Sequence, residues 1–137
     1  MLCFAVYTAG HAFNRVYKPL LDGLGLTYPQ YLVMTALWDR DGQTVGGLCD
    51  KLLLESSTLT PLLKRLEAAG RVRRERNRVD ERQVSIWLTQ DGAALRSRAA
   101  DIPSCILQAS GRSIDAIRSL AAELTALRVV LGGDRSG

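Results

Sequence analysis

Apolar side chains recur every three or four residues over the first part of the chain, the spacing of amphipathic helices. Within residues 2–21 they fall at Phe4, Tyr7, Ala12, Val16 and Leu20. Pro19 and the glycines that follow predict that this first helix ends at about residue 21. Thr27, with Gln30 three residues later, forms the pattern of a capping box and predicts a second helix that runs to about Asp39.

Two shorter helices are predicted next. The first covers about residues 45–53, with Thr44 as its cap. The second covers residues 57–69 and is followed by a C-cap glycine, Gly70. Its apolar face is formed by Leu59, Leu62, Leu63 and Leu66. Two short consecutive helices of this kind are typical of a helix-turn-helix, whose second helix enters the major groove of DNA.

The hydrophobic period changes after these helices. Val84, Ile86 and Leu88 alternate with other side chains, and a polar turn at residues 77–80 precedes them. This pattern predicts two short strands joined in a hairpin. A hairpin directly after a helix-turn-helix is the wing of a winged helix-turn-helix.

The last third of the chain is predicted to be helical. Thr89 caps a long helix that Pro103 interrupts, and Ser113 begins a last helix ahead of a polar tail from Gly132. The last helix carries apolar residues at helical spacing, namely Leu120, Leu124, Leu127 and Leu131. Because one small domain cannot cover that much apolar surface, we expect a homodimer formed through the first and last helices.

The predicted fold is therefore mostly α with a small β-hairpin wing. We expect a single domain of residues 1–137, with a DNA-binding core at about residues 27–90. The dimerisation helices are expected at about residues 2–21 and 90–131.

Length and composition narrow the class of protein. The chain has 137 residues, of which 47% are hydrophobic and 23% charged, enough for one globular domain. No apolar run approaches the ~18 residues of a membrane span, and no secretory signal is visible, so we expect a cytoplasmic protein with no membrane partner. Three widely spaced cysteines do not form a disulfide framework and indicate buried or reactive thiols.

The positive charge is concentrated in one segment. Residues 64–82 hold eight basic and four acidic residues, and this excess of +4 equals the net charge of the whole chain. Such a patch favours a polyanion such as DNA as partner, and the alternative is a solvated arginine-rich hairpin. The candidate DNA contacts in and before this segment are Ser56, Ser57, Thr58, Thr60, Lys64, Arg65, Arg74 and Arg78. The four hydroxyls can reach base edges or phosphates, and the alternative is that they only cap the helix. One of them is expected to be the cap, and four are more than one cap needs.

Several stretches resemble a known family. Residues 58–70, Asp80-Glu81-Arg82 and Leu88-Thr89 resemble the MarR family of dimeric winged-helix regulators. Leu2-Cys3-Phe4 with Tyr7, and the segments 17–21 and 26–32, resemble its organic hydroperoxide resistance (OhrR-type) subgroup.

The resemblance implies a repressor homodimer on a pseudo-palindromic double-stranded DNA operator, with an organic hydroperoxide as inducer. It implies that Cys3 is the reactive cysteine and that Tyr17 and Tyr28 of the partner subunit hydrogen-bond its sulfur. Arg82 would be the minor-groove arginine, and Asp80 would shape the turn beside it.

The implied chemistry begins with attack of a thiolate on the peroxide, which gives a sulfenic acid. In the two-cysteine branch of the family a second thiol from the partner then forms a disulfide, and Cys105 lies in the matching region. Cys49, on the apolar face of the third helix, is the other candidate and is interpreted as a core residue. A pocket for the peroxide is expected to be walled by Phe4, Val6 and Leu24.

Two other functions remain open. One is a MarR-type regulator of another small ligand, such as a phenolic compound, with Cys3 incidental. The other is a thiol peroxidase, against which the basic wing argues. His11 is the only histidine and no paired ligand motif accompanies it, so neither a metal nor a cofactor is expected.

Overall fold

The computed structural model describes residues 1–132, which form seven helices and a three-stranded sheet. The elements are α1 (Leu2–Asp22), α2 (Tyr28–Asp39), β1 (Gln43–Thr44), α3 (Val45–Leu52), α4 (Ser56–Ala68), β2 (Val72–Arg76), β3 (Val84–Leu88), α5 (Gln90–Ala99), α6 (Ile102–Ser110) and α7 (Ile114–Gly132). They divide into two compact units, Met1–Ala100 and a second that begins at Asp101. The polar tail expected after Gly132 lies outside the described residues.

The predicted helix starts are observed with their caps. Thr27 and Gln30 form a complete capping box, with N···O distances of 3.3 Å and 3.0 Å. The Thr44 hydroxyl accepts a hydrogen bond from the Gly47 N–H at 3.0 Å at the start of α3. Local side-chain chemistry therefore fixes where α2 and α3 begin.

Two predicted helix boundaries are close to the observed ones, and one element was not predicted. α1 ends at Asp22, near the predicted residue 21, with Pro19 in its last turn and Leu21 buried. The predicted interruption near Pro103 is a break between α5 and α6, and Pro103 lies in the first turn of α6, where its missing N–H costs nothing. β1 was not predicted, since a two-residue strand is too short to show an alternating pattern.

The sheet has the order β1-β3-β2 and is antiparallel throughout. In the hairpin Val72 pairs with Leu88 and Arg76 with Val84. Val72 and Ile86 are fully buried with the leucines of α4, whereas residues 73–76 are exposed. The hairpin therefore joins the core at its base and carries its charged residues in solvent.

A set of hydrogen bonds around Thr89 and Gly92 attaches α5 to the base of the hairpin. The Thr89 hydroxyl accepts from the Gly92 N–H at 3.0 Å and donates to the Gly70 carbonyl at 2.6 Å. The Thr89 N–H donates to the Arg71 carbonyl at 3.1 Å, and the Trp38 indole N–H donates to the Gly92 carbonyl at 2.9 Å. Gly92 is required here, because a Cβ at this position would overlap the Arg71 carbonyl oxygen.

Two helices expose much apolar surface within their own units. No residue of α7 is buried. Its exposed large apolar side chains are Ile114, Leu120, Leu124, Val129, Val130 and Leu131. Those of α1 are Leu2, Phe4, Val6, Tyr7 and Phe13. Within the described part of the chain, no helix combines the length and apolar character needed to cross a membrane.

Candidate nucleic-acid interface and redox centre

α4 turns its leucines into the core and its polar side chains outward. Leu59, Leu62, Leu63 and Leu66 are buried. Ser56, Ser57 and Thr58 are exposed and Thr60 is half-buried. The N-cap residue is Glu55, and no side chain makes a capping hydrogen bond. The expectation that one of the hydroxyls at the start of α4 caps the helix is therefore wrong, and all of them are available to an external partner.

Lys64 and Arg65 lie further along the exposed side of α4. Among the described residues neither has an ion pair. Two unpaired cations on the same helix as a row of hydroxyls form a surface suited to phosphate oxygens.

The tip of the hairpin is held in shape by two side chains. The Asn77 amide oxygen accepts from the N–H groups of Val79 and Asp80 at 2.9 Å and 3.1 Å, and its amide nitrogen donates to the Ser85 hydroxyl at 3.0 Å. Asp80 Oδ1 accepts from both N and Nε of Arg82 at 3.1 Å. These hydrogen bonds from Arg82 hold the pKa of Asp80 below its usual value. The sequence did not single out Asn77 as the residue that shapes the tip, because asparagine is common in turns of every kind.

The arginines of the hairpin differ in their partners. The Arg82 side chain is 91% exposed although Asp80 holds one edge of its guanidinium. Among the described residues Arg78 has no ion pair. Arg74 is held by Glu67, with Nε 3.2 Å from Oε1 and the backbone N–H donating to Oε2 at 3.1 Å. Arg74 therefore joins β2 to α4 and is less free for a DNA contact than the sequence suggested.

A cluster of aromatic rings lies where α1 meets α2. The rings of Tyr17 and Tyr28 are 4.8 Å apart, and Tyr31 is 6.0 Å from the first and 6.5 Å from the second. A cleft of about 390 Å³ opens beside them. Its lining residues are Asn14, Tyr17, Lys18, Leu21, Asp22, Leu26, Thr27, Tyr28 and Pro29. The two tyrosines predicted to act together are thus adjacent at one cleft.

Burial, with the neighbouring phenols of Tyr28 and Tyr31, raises the pKa of Tyr17 to about 12. Its phenol therefore keeps its proton at neutral pH. A neutral phenol is a hydrogen-bond donor, which is what a thiolate or sulfenate needs from its surroundings.

Cys3 is exposed near the start of α1. It precedes Tyr17 by 14 residues on the same helix, so about 21 Å of helix axis separates them. The tyrosines of one chain therefore cannot reach the Cys3 of that chain. The expected pocket walls do not meet at the cleft, because Phe4 and Val6 are exposed on α1 and Leu24 is buried in the core.

The other two thiols are half-buried. Cys105 lies in α6, in the second unit. Cys49 lies in α3, and burial, with the nearby Asp50 charge, raises the pKa of its thiol. Cys49 is thus disfavoured as a thiolate, although it is less buried than a core residue was expected to be. Among residues 1–132 no group of three potential ligand side chains could hold a metal ion.

Comparison with known proteins places this geometry in a family. Residues 15–98 match the family model of the SarA/Rot transcriptional regulators. The organic hydroperoxide resistance transcriptional regulator of Bacillus subtilis is 45% identical over 126 residues, which are 92% of this chain and 86% of that protein. The chain belongs to the SarA/Rot and MarR family of winged-helix transcriptional regulators. This family consists of DNA-binding regulators and not of enzymes.

Two further relatives agree with the family. The regulator TtmR of Methylorubrum extorquens is 50% identical over 127 residues, which are 93% of this chain and 65% of TtmR, so the chain spans less than two thirds of that relative. The structure of reduced AbfR bound to DNA matches with a TM-score of 0.82 and 36% identity, over 96% of this chain and 92% of AbfR. AbfR, from Staphylococcus epidermidis, has also been solved with a disulfide formed, and that form matches with a TM-score of 0.70, 38% identity, and 92% and 88% coverage. The predicted winged-helix fold and MarR-family membership are confirmed.

Proposed function

We propose that this regulator is a cytoplasmic homodimeric repressor that leaves its operator DNA when an organic hydroperoxide oxidises Cys3. The observation that carries the proposal is the pairing of Tyr17 and Tyr28 at one cleft, about 21 Å of helix away from Cys3 of the same chain. A cleft with two phenols and no thiol in its lining, and a thiol that those phenols cannot reach within one chain, are complementary halves of one site in a dimer.

Association of two chains is supported by the apolar surfaces of α1 and α7. Each of the two helices leaves several large apolar side chains exposed within its own unit. A two-fold dimer would bury them and would present two copies of α4 to successive major grooves, so the operator would be pseudo-palindromic.

DNA binding is supported by the exposed side chains of α4 and the wing. Ser56, Ser57 and Thr58 are free of capping bonds, and Lys64, Arg65 and Arg78 carry positive charge without ion pairs among residues 1–132. Hydroxyls near the start of a recognition helix suit base edges, and cations on its flank suit phosphates. Arg82, presented by Asp80, suits the minor groove.

The sensing reaction is a two-electron oxidation of sulfur. The Cys3 thiolate attacks the terminal oxygen of the hydroperoxide, an S–O bond forms as the O–O bond breaks, and the alkoxide leaves as the alcohol after taking up a proton. The cysteine is then a sulfenic acid. The Cys105 thiol of the partner subunit attacks it, so that an S–S bond forms and water leaves.

Disulfide formation explains release from DNA by geometry. A disulfide requires its two Cα atoms to lie within about 4.4–6.8 Å. If the reduced cysteines are further apart, closing the bond moves the helices that carry them and alters the spacing of the two α4 helices. Each half-site would then lose its match to the protein.

The test is the affinity for a duplex that the wild-type protein enriches from a random library, measured by anisotropy before and after cumene hydroperoxide. The wild-type protein is expected to release the duplex and Cys3→Ser to keep it. The matched control is Cys49→Ser, which should release it like wild type. Release of Cys3→Ser by the peroxide would remove Cys3 from the mechanism.

The role of Cys105 has its own test in non-reducing electrophoresis of peroxide-treated protein. Wild type should give a disulfide-linked dimer and Cys105→Ser should not, because that variant lacks the thiol that would attack the sulfenic acid of Cys3. Cys105→Ser should also proceed to sulfinic acid under excess peroxide. A linked dimer that persists in Cys105→Ser would exclude Cys105 as the resolving thiol.

The cleft of about 390 Å³ favours one alternative, a regulator that responds to a small phenolic ligand. Such a ligand would release DNA from Cys3→Ser as well as from wild type. Cumene hydroperoxide and a non-oxidising phenol, compared on both proteins, therefore separate the two functions.

A further inference from the structure

The tip of the wing carries an almost fully exposed apolar side chain. Val79 lies at the tip of the hairpin and is 97% exposed, whereas the other valines of the hairpin, Val72 and Val84, are buried and half-buried. A solvated valine gains nothing from packing in the free protein. Its position is also unlike that of a residue in a loose loop, because the turn around it is built from specific hydrogen bonds.

The turn fixes the backbone on both sides of Val79. The Asn77 amide oxygen accepts from the Val79 N–H at 2.9 Å, and the same side chain is anchored to β3 through the Ser85 hydroxyl at 3.0 Å. The Asp80 carbonyl accepts from the Gln83 N–H at 3.0 Å, and Asn77 donates its N–H to the Gln83 carbonyl at 2.8 Å. The isopropyl group is thus held outward with little backbone entropy left to lose on binding.

The charges beside Val79 indicate what it meets. Arg78 precedes it, and Arg82, held by Asp80, follows it within the same turn. An apolar group between two cations suits the minor groove, where phosphates line both walls and deoxyribose carbons and base edges form the floor.

We infer that Val79 is a specificity-determining residue that enters the minor groove of the operator and favours A·T base pairs there. The inference rests on the proposed DNA-binding function and adds the residue that reads the groove under the wing. In the minor groove a G·C pair differs from A·T by the guanine N2 amino group, a hydrogen-bond donor. Valine offers that amino group no acceptor and would displace its water, so a G·C pair under the wing is disfavoured.

The test compares wild type with Val79→Ser, whose hydroxyl is an acceptor, and with Arg82→Ala. The probe is a duplex enriched by the wild-type protein from a random library, together with versions that carry G·C or inosine·C pairs under each wing. Inosine·C has the same major-groove edge as G·C but lacks the N2 amino group in the minor groove. Val79 is so exposed that its substitution leaves the fold intact, which circular dichroism checks.

Wild type is expected to bind the A·T and inosine·C duplexes alike and the G·C duplex about tenfold more weakly. Val79→Ser should bind the A·T duplex about three- to tenfold more weakly than wild type, lose most of the discrimination against G·C, and keep the salt dependence of wild type. Arg82→Ala should reduce the slope of log affinity against log salt by about one, because it removes a charge.

Each other outcome has a definite meaning. If Val79→Ser matches wild type on all three duplexes while Arg82→Ala binds more weakly, the role of Val79 is overturned and the DNA-binding function stands. If wild type treats G·C and inosine·C alike, the minor-groove readout is overturned. If wild type enriches no duplex, the proposed function fails, and this inference fails with it.

Discussion

Gly92 is the position where one added methyl group should lower the free energy of unfolding most. It lies in the first turn of α5, buried against the base of the wing. A Cβ built there overlaps the carbonyl oxygen of Arg71 and lies 3.0 Å from its carbonyl carbon. Both neighbours are backbone atoms, so no side-chain rotation can relieve the overlap in Gly92→Ala.

The size of this loss of stability follows from the contacts between α5 and the base of the hairpin. Ordinary contact needs about 3.5 Å, so α5 and β2 must separate by about 1 Å or more. That shift strains the hydrogen bonds from the Thr89 N–H to Arg71 and from the Trp38 indole to Gly92, at about 0.5–1.5 kcal/mol each. Overpacking adds about 1–3 kcal/mol, and the better helix propensity of alanine offsets about 1 kcal/mol. Gly92→Ala should therefore lower the free energy of unfolding by about 1–5 kcal/mol.

The assay is urea denaturation followed by far-ultraviolet circular dichroism, with all proteins at one concentration because a dimer's stability depends on it. The control is Gly46→Ala in α3, where an added Cβ meets no atom within 4 Å. This variant should equal or exceed the stability of wild type. A Gly92→Ala protein within about 0.5 kcal/mol of wild type would refute the reasoning, because surface-like substitutions fall in that range.

Three further predictions concern charge and the aromatic cluster. Arg82→Ala should weaken DNA binding by about 1–3 kcal/mol at physiological salt with an unchanged urea midpoint, and equal affinity would mean that the wing does not contact DNA. Lys64→Ala should weaken binding to every sequence alike and reduce the salt slope by about one, and an unchanged slope would exclude a phosphate contact. The pKa of Tyr17 is about 12 in the folded protein, against an ordinary value of 10. Protonated Tyr17 therefore contributes its full share to the free energy of unfolding below pH 10, and this contribution is lost as the pH rises toward 12. Phenolate absorbance of the native protein at pH 11 should therefore be lower than that of the protein in guanidinium. Tyr17→Phe should narrow this difference, and an equal difference in both proteins would contradict the raised pKa.

Much of the fold could be predicted because its signals are local. Thr27 and Gln30 specify the start of α2 through their own side chains, and the leucines of α4 repeat with the helical period. A tertiary effect sets the part that could not be predicted, because β1 exists only where β3 offers it hydrogen-bond partners.

The candidate site likewise contains residues that the sequence could identify and residues whose role depends on tertiary contacts. The family resemblance singled out Tyr17 and Tyr28, and the structure brings their rings together. Arg74 was chosen for its charge, which cannot reveal that Glu67 on the preceding helix holds it. Asn77 escaped notice because its role depends on Ser85, eight residues away across the hairpin.

The central claim, that oxidation of Cys3 releases DNA, is tested most directly by measuring both events in one sample. Wild-type protein on a fluorescent duplex is titrated with cumene hydroperoxide, and anisotropy records the bound fraction. Free thiols are alkylated, the sample is then reduced and labelled with a second thiol reagent, and mass spectrometry of the two labels records the oxidised fraction of Cys3. The two fractions should follow each other, with full release after about one equivalent of peroxide per Cys3, and dithiothreitol should restore binding. Release while Cys3 remains reduced, or complete oxidation of Cys3 with the duplex still bound, would contradict the account.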